Sequence, residues 1–104
     1  MDRPESLGVP AAPNASRVRG RLVSIRPGPE GQGAIWEIAV AESEDVDNLP
    51  NFGRVQIGRT ISVYVHPGSS HALAENDAVE ARVAFQGDER GGAFFLIEDD
   101  ARRL

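Results

Sequence analysis

The residues best suited to bind an anion are arginines at the start of the first apolar segment. Arg17, Arg19 and Arg21 are two residues apart, so in an extended strand they lie on one face. A guanidinium group matches the geometry of phosphate and carboxylate oxygens, and a row of them suits a phosphate backbone. Arg54 and Arg59 flank a later segment and add to the positive charge. The alternative is a solvated outer face, where charge prevents unwanted strand pairing.

A nucleic-acid groove also needs exposed aromatic rings on which bases can stack. Tyr64 belongs to the outward-facing set of its segment, together with His66, and is the best candidate. Trp36 shares its phase with two aliphatic residues, so we expect it in the core or at the core's rim. In the last segment we expect Phe95 to be buried and Phe94, on the opposite phase, to be exposed. The candidate ligand-binding residues are therefore Arg17, Arg19, Arg21, Arg54, Arg59, Tyr64 and His66.

Several kinds of chemistry are excluded by residues that the chain lacks. It has no cysteine, which excludes disulfides, thiolate metal sites and cysteine nucleophiles. It also has no lysine, so the phosphate-binding loop motif that ends in lysine cannot occur. His66 and His71 are five residues apart across a turn and could face one cation, but no further ligand is clearly positioned. We expect no enzyme activity, no metal site and no cofactor.

Residues 42–53 are acidic and rich in turn-forming residues. They include Glu42, Glu44, Asp45 and Asp47 and no basic residue. These carboxylates would repel a phosphate backbone over distances comparable with the Debye length, about 8–10 Å. The formal net charge of -5 acts in the same direction. The segment could instead contact a basic protein partner, or it could simply remain solvated.

Five segments alternate apolar and polar residues with the period of a β-strand. They cover residues 18–25, 34–41, 60–66, 77–86 and 93–98. In the third of them, Ile61, Val63 and Val65 face inward. A change of apolar phase near Gly20 indicates a bulge or a sharp coil in the first. Between and after these strands, residues 69–76 and 99–104 each have room for one helical turn, and residues 54–58 suit a short strand or an extended link.

The chain is long enough for one domain. It has 104 residues, of which 40% are hydrophobic, and two separate cores would each be too small. Residues 1–16 contain three prolines and no apolar period, so we expect a disordered tail or linker, followed by a single domain over residues 17–104.

The motif Asn14-Ala15-Ser16 matches an N-glycosylation acceptor. We nevertheless expect a cytoplasmic protein, since the first residues lack a secretory signal and no apolar run approaches the ~20 residues that span a bilayer.

A small antiparallel barrel buries the apolar faces of five alternating strands and leaves no long open edges. The stretch from Val18 to Ile97 resembles the OB-fold, a five-stranded Greek-key barrel. Three features support this resemblance. They are the coil at Gly20, the Pro67-Gly68 break before an acidic turn, and a glycine-bracketed hairpin over residues 87–92. The run that follows, Phe94-Phe95-Leu96-Ile97-Glu98-Asp99, is similar to the end of OB domains of the tRNA-anticodon-binding type.

The resemblance implies a binding surface over strands two and three, flanked by the first and last hairpin loops. Two functions remain open. A non-catalytic module that docks a protein partner or assembly agrees with the negative net charge and the small number of exposed aromatic residues. Binding of single-stranded nucleic acid would use the arginines with Tyr64 and His66. We favour protein docking by a monomer; an oligosaccharide or small-ligand site on the same surface would need Trp36 to be exposed.

Overall fold

The alternating segments form five β-strands in the computed structural model, which describes residues 13–68, 71–88 and 91–104. The strands are β1 (Ser16–Pro27), β2 (Ala34–Asp45), β3 (Thr60–Val65), β4 (Ala78–Asp88) and β5 (Gly91–Arg103). Short 3-10 turns at Pro29–Gly31 and Arg54–Gln56 lie in the connections after β1 and β2. Within the described residues no helix is long and apolar enough to cross a membrane.

The sheet closes into a barrel with the strand order β1-β2-β3-β5-β4, and β4 pairs with β1. This closed five-stranded barrel is compatible with an OB-like fold. The prediction of a wholly antiparallel barrel is wrong at one seam, because β3 and β5 run parallel through the pairs Val63–Phe94 and Tyr64–Phe95. The chain crosses from β3 to place β4 beside β1. β5 forms a hairpin with β4 and is antiparallel to it. β5 therefore runs in the same direction as β3, beside which it lies.

The predicted irregularity in β1 is confirmed. Its register with β2 shifts between Arg19 and Gly20 and again between Leu22 and Ser24. At Gly20 the backbone of β2 approaches so closely that a Cβ atom would overlap the carbonyl oxygen of Ala39. Only glycine fits this bend, which lets one long strand pair with both β2 and β4.

The core is the set of inward-facing residues from all five strands. Ile61, Val63 and Val65 are buried as predicted, and Trp36 is 4% exposed. The other buried members are Val18, Leu22, Ile38, Val40, Val79, Ala81, Val83, Phe94 and Leu96, with Phe52, Leu73 and Phe85 partly buried against them. Burial of these apolar side chains is the main source of stability in a domain of this size.

The two neighbouring phenylalanines of β5 exchange the environments predicted for them. Phe94 is 6% exposed and belongs to the core, where its ring meets that of Phe85 edge-on at 5.3 Å. Phe95 is half-buried and contacts Tyr64 instead. The run Phe-Phe-Leu-Ile is apolar on both phases, so alternation alone could not decide which ring points inward.

Several boundaries differ from the sequence-based expectation. β2 continues to Asp45, so residues 42–45 form a strand rather than a loop. Residues 99–103 continue β5 rather than forming a helical turn, and residues 54–56 form a 3-10 turn rather than a strand. Of the expected helical turn at 69–76, residues 69 and 70 lie outside the described residues and 71–76 are not helical.

The ordered domain begins before Arg17. Asn14, Ala15 and Ser16, which the sequence pattern places in the tail, are buried against the barrel. The Ser16 hydroxyl accepts a hydrogen bond of 2.9 Å from the backbone N–H of Gly53. The rest of the predicted tail, residues 1–12, lies outside the described residues.

Candidate binding surfaces

Arg19 lies on the outer side of β1, between acidic residues of both neighbouring strands. Its register partners are Glu42 on β2 and Glu80 on β4. Its three guanidinium nitrogens each contact a different carboxylate: Nε lies 2.8 Å from Glu80, and Nη1 and Nη2 lie 3.0 Å from Glu42 and Glu44. These hydrogen bonds, first that to Glu44 and then those to Glu42 and Glu80, raise the pKa of the Arg19 guanidinium. The positive charge of this group is therefore already compensated by three carboxylates within the molecule.

Glu80 is the buried member of this group, with 5% of its side chain exposed. Its second oxygen accepts a hydrogen bond of 2.7 Å from Nε of Arg102 on β5. This bond, together with that from Arg19, holds the pKa of the Glu80 carboxyl below its ordinary value, although burial acts in the opposite direction. A carboxylate this deep is tolerated because both its oxygens are paired.

The remaining acidic residues of the 42–53 segment also have arginine partners. Asp45 accepts a hydrogen bond of 2.8 Å from Arg54, and Asp47 lies 3.7 Å from Arg82. Arg17 is 3.7 Å from Asp100 of β5. The acidic segment, which the sequence suggested as a separate binding feature, is thus paired within the molecule with Arg19 of the arginine row and with Arg54 and Arg82.

The outer surface of β2 and β3 is centred on Glu37, a half-buried carboxylate. It accepts hydrogen bonds from Ser24 at 3.0 Å, from Arg26 at 3.3 Å and from Ser62 at 3.5 Å. The bond from Ser24, followed by that from Arg26, lowers the pKa of Glu37. Glu37 therefore stays ionised near neutral pH, and it places one paired negative charge in the middle of this surface.

Tyr64 stands at one end of the same surface. Its ring is half-buried between those of His66 and Phe95, with centroid distances of 5.9 Å and 5.8 Å and edge-on geometry. The structure thus brings Tyr64 and His66 together, as the sequence predicted. It separates both from Arg17, Arg19 and Arg54.

Two of the predicted arginines have no carboxylate within ion-pair distance in the described part of the chain. Arg21 donates from Nη1 to the side-chain oxygen of Asn76 at 3.1 Å, a neutral partner. Arg59 is exposed and immediately precedes β3. Arg21 lies opposite Ala39 on β2, and Ala39 lies opposite Thr60 on β3. These three residues form an outward-facing row across the sheet. Arg59 immediately precedes Thr60, so it lies near the end of the row away from Arg21.

A shallow apolar groove of about 380 Å³ runs beside Arg21. Its apolar surface comes from Leu104 and from small residues of three strands, and the polar side chains of Arg19, Arg21, Glu42 and Asn76 also line it; the small residues are Gly20, Ala39, Ala41 and Ala78. Leu104 is 55% exposed. The apolar residues Val55 and Ile57, in the connection between β2 and β3, are 71% and 47% exposed. The available signal for this groove in the sequence was the set of small residues Ala39, Ala41 and Ala78 on the outward phase of β2 and β4, which the predictions did not use.

Trp36 is not exposed on the outer surface of the barrel, so it cannot serve as a stacking platform there. It lies at one end of the barrel, and its ring meets His71 edge-on at 5.2 Å. His66 and His71 both line a cavity at this end. Among the described residues no group of three or more histidine, aspartate or glutamate side chains is arranged to hold a metal ion.

Comparison of the chain with protein-family models, with curated proteins and with solved structures finds no significant match.

Proposed function

We propose that this chain is a non-catalytic binding module with an OB-like barrel that docks a protein partner. The docking surface is the outer face of β2 and β3 together with the groove beside Arg21. The observation that carries the proposal is the pairing of Arg19 with three carboxylates. Because Arg19 is the middle residue of the arginine row, this pairing leaves the row less able to bind phosphate groups.

The composition of the proposed surface also favours a protein. It combines the aromatic pair Tyr64 and Phe95, the arginines Arg21 and Arg59, and an apolar groove of small residues. Tyrosine and arginine are enriched among the residues that contribute most to protein–protein affinity, and charged residues are depleted at the centres of such interfaces. Because Arg21 and Arg59 have no carboxylate partner in the described residues, the partner we expect is a segment that combines apolar side chains with a carboxylate.

Single-stranded nucleic acid is the second candidate. The observation that favours it is the same aromatic pair, Tyr64 and Phe95, which lies on a face that also carries Arg21 and Arg26. Few cations remain for a phosphate backbone, and Arg26 is already paired with Glu37. We therefore place this function behind protein docking.

Site-specific photo-crosslinking in cells of the source organism tests both functions. A photoreactive amino acid replaces Ser62, which is exposed beside Glu37, and in a control chain it replaces Glu98, an exposed residue of β5. We expect a discrete protein adduct at position 62 and not at 98. The double substitution Arg21→Glu and Tyr64→Ala should remove it.

The chemistry of the adduct decides between the candidates. A protease-sensitive adduct that resists nuclease supports protein docking, whereas a nuclease-sensitive adduct supports the second candidate. In that case, affinity for a mixed-sequence 20-nucleotide strand should fall steeply between 20 and 200 mM salt, because released counterions drive such binding. Equal adducts at positions 62 and 98, or none at either, would contradict both functions.

A further inference from the structure

A cavity of about 460 Å³ opens at the end of the barrel where the β1–β2 connection meets the β3–β4 connection. The residues that matter for its chemistry are Ile25, Trp36, Val65, His66, His71 and Leu73. Its volume lies within the range of small-molecule sites, about 300–1,000 Å³. The cavity is distinct from the apolar groove beside Arg21, which lies on the side of the barrel.

The wall presents polar and apolar surface in similar proportion, and part of it is aromatic. Trp36 and Val65 are core residues with 4% and 3% exposure, so the inner wall is held rigidly by the barrel. His71 meets the Trp36 ring edge-on, with an interplanar angle of 78°. Such a mixed wall suits a ligand that has a flat ring to pack against the indole and a polar group beside it.

One polar group of this wall is unsatisfied. Nε2 of His71 is buried and has no hydrogen-bond partner among the described residues. A buried nitrogen without a partner costs free energy, and a ligand that hydrogen-bonds to the imidazole removes that cost. The nitrogen is covered in this structure, so the imidazole must turn about its χ2 bond for the contact to form. A hydroxyl group suits either neutral tautomer, since it both donates and accepts.

We propose that this cavity binds a small aromatic ligand that carries a hydroxyl group, with the ring against Trp36 and the hydroxyl hydrogen-bonded to His71. This site is separate from the proposed docking surface, apart from His66 at its edge. It is also independent of whether the partner is a protein or a nucleic acid. The site supplies no chemistry to the ligand; it binds and orients it.

The test compares 4-methylphenol with toluene, which has the same ring and methyl group but no hydroxyl. The chain has a single tryptophan, so its indole N–H gives one identifiable NMR signal. We expect 4-methylphenol to shift that signal, and the amides of Val65 and His66, saturably in the millimolar range. Toluene should bind about 3- to 10-fold more weakly, the factor that one net hydrogen bond contributes.

Two variants locate the site. His71→Phe keeps a ring beside Trp36 but removes both nitrogens, so it should bind 4-methylphenol no better than toluene. Leu73→Trp adds bulk to the cavity wall and should abolish binding of both compounds; it decides the question if His71→Phe fails to fold. The proposal is wrong if 4-methylphenol causes no saturable shift, if the two compounds bind equally, or if Leu73→Trp binds both as well as the parent chain does.

Discussion

The side chain of Asn14 is hydrogen-bonded to both backbone polar groups of Phe85. Its amide nitrogen donates to the Phe85 carbonyl oxygen at 2.9 Å, and its side-chain oxygen accepts from the Phe85 N–H at 2.7 Å. The carboxamide thus makes the two hydrogen bonds with β4 that the backbone of a neighbouring strand would make. This arrangement also argues against the glycosylation motif at Asn14, because the acceptor nitrogen is engaged and the residue is 8% exposed.

Replacing Asn14 with alanine should destabilise the domain by about 1–3 kcal/mol, because the Phe85 N–H and carbonyl would lose their partners in a partly buried position. Urea unfolding monitored by the fluorescence of Trp36 measures the effect. Gln86→Ala, at the exposed neighbouring position, is the control and should change the free energy of unfolding by less than about 0.5 kcal/mol. Equal effects of the two substitutions would contradict this role of Asn14.

Glu80→Gln should also destabilise the domain, by about 1–3 kcal/mol, since an amide replaces a buried carboxylate that pairs with Arg19 and Arg102. Glu98→Gln is a matched control. Glu98 contacts Arg82 at 3.3 Å, but 75% of its side chain is exposed, so a change below about 0.5 kcal/mol is expected. Denaturant midpoints at pH 7 compare the two variants. If Glu80→Gln is as stable as Glu98→Gln, the buried bridge contributes nothing.

Stability should fall as the solution becomes acidic. The pKa of Glu80 is lowered by Arg102 and Arg19, and that of Asp77 by the backbone N–H of Ala74 and by Arg103. A lowered carboxyl pKa means that the stabilisation is complete above the ordinary values of about 4–4.5 and is lost as pH falls through the lowered value. Urea midpoints at pH 7, 5, 4 and 3 follow this loss. Glu80→Gln should show a shallower fall, and an unchanged pH dependence would exclude Glu80 as a source of it.

Phe94→Ala should cost about 3–5 kcal/mol, because it leaves a cavity among the buried residues around Phe85 and Val63. Phe95→Ala removes a half-buried ring and should cost less than half as much. Thermal unfolding of both variants gives the order. A larger effect at Phe95 would restore the sequence-based assignment of these two rings.

The strands and most of the core followed from the alternation of residues. Ile61, Val63, Val65 and Trp36 lie where the pattern placed them, and Gly20 marks the coil in β1. These features depend on nearby residues along the chain, so the sequence carries them directly.

The charge arrangement could not be predicted in the same way. Arg19 meets Glu42 and Glu44 because β2 extends to Asp45, and because the register shift at Gly20 fixes which residues face each other. Both depend on contacts between segments distant in sequence. The groove beside Arg21 likewise requires three strands to be placed side by side.

The parallel contact between β3 and β5 joins these strands at two positions, whereas β1 and β2 pair along almost their whole length. This seam is the weakest line of the barrel wall, since few backbone hydrogen bonds hold it closed. Transient separation there would leave a three-stranded meander, β1 to β3, attached to the β4–β5 hairpin through β1. The backbone amides along this line should therefore exchange their hydrogens with solvent sooner than those between β1 and β2, and core residues such as Val63 become accessible to solvent by this route.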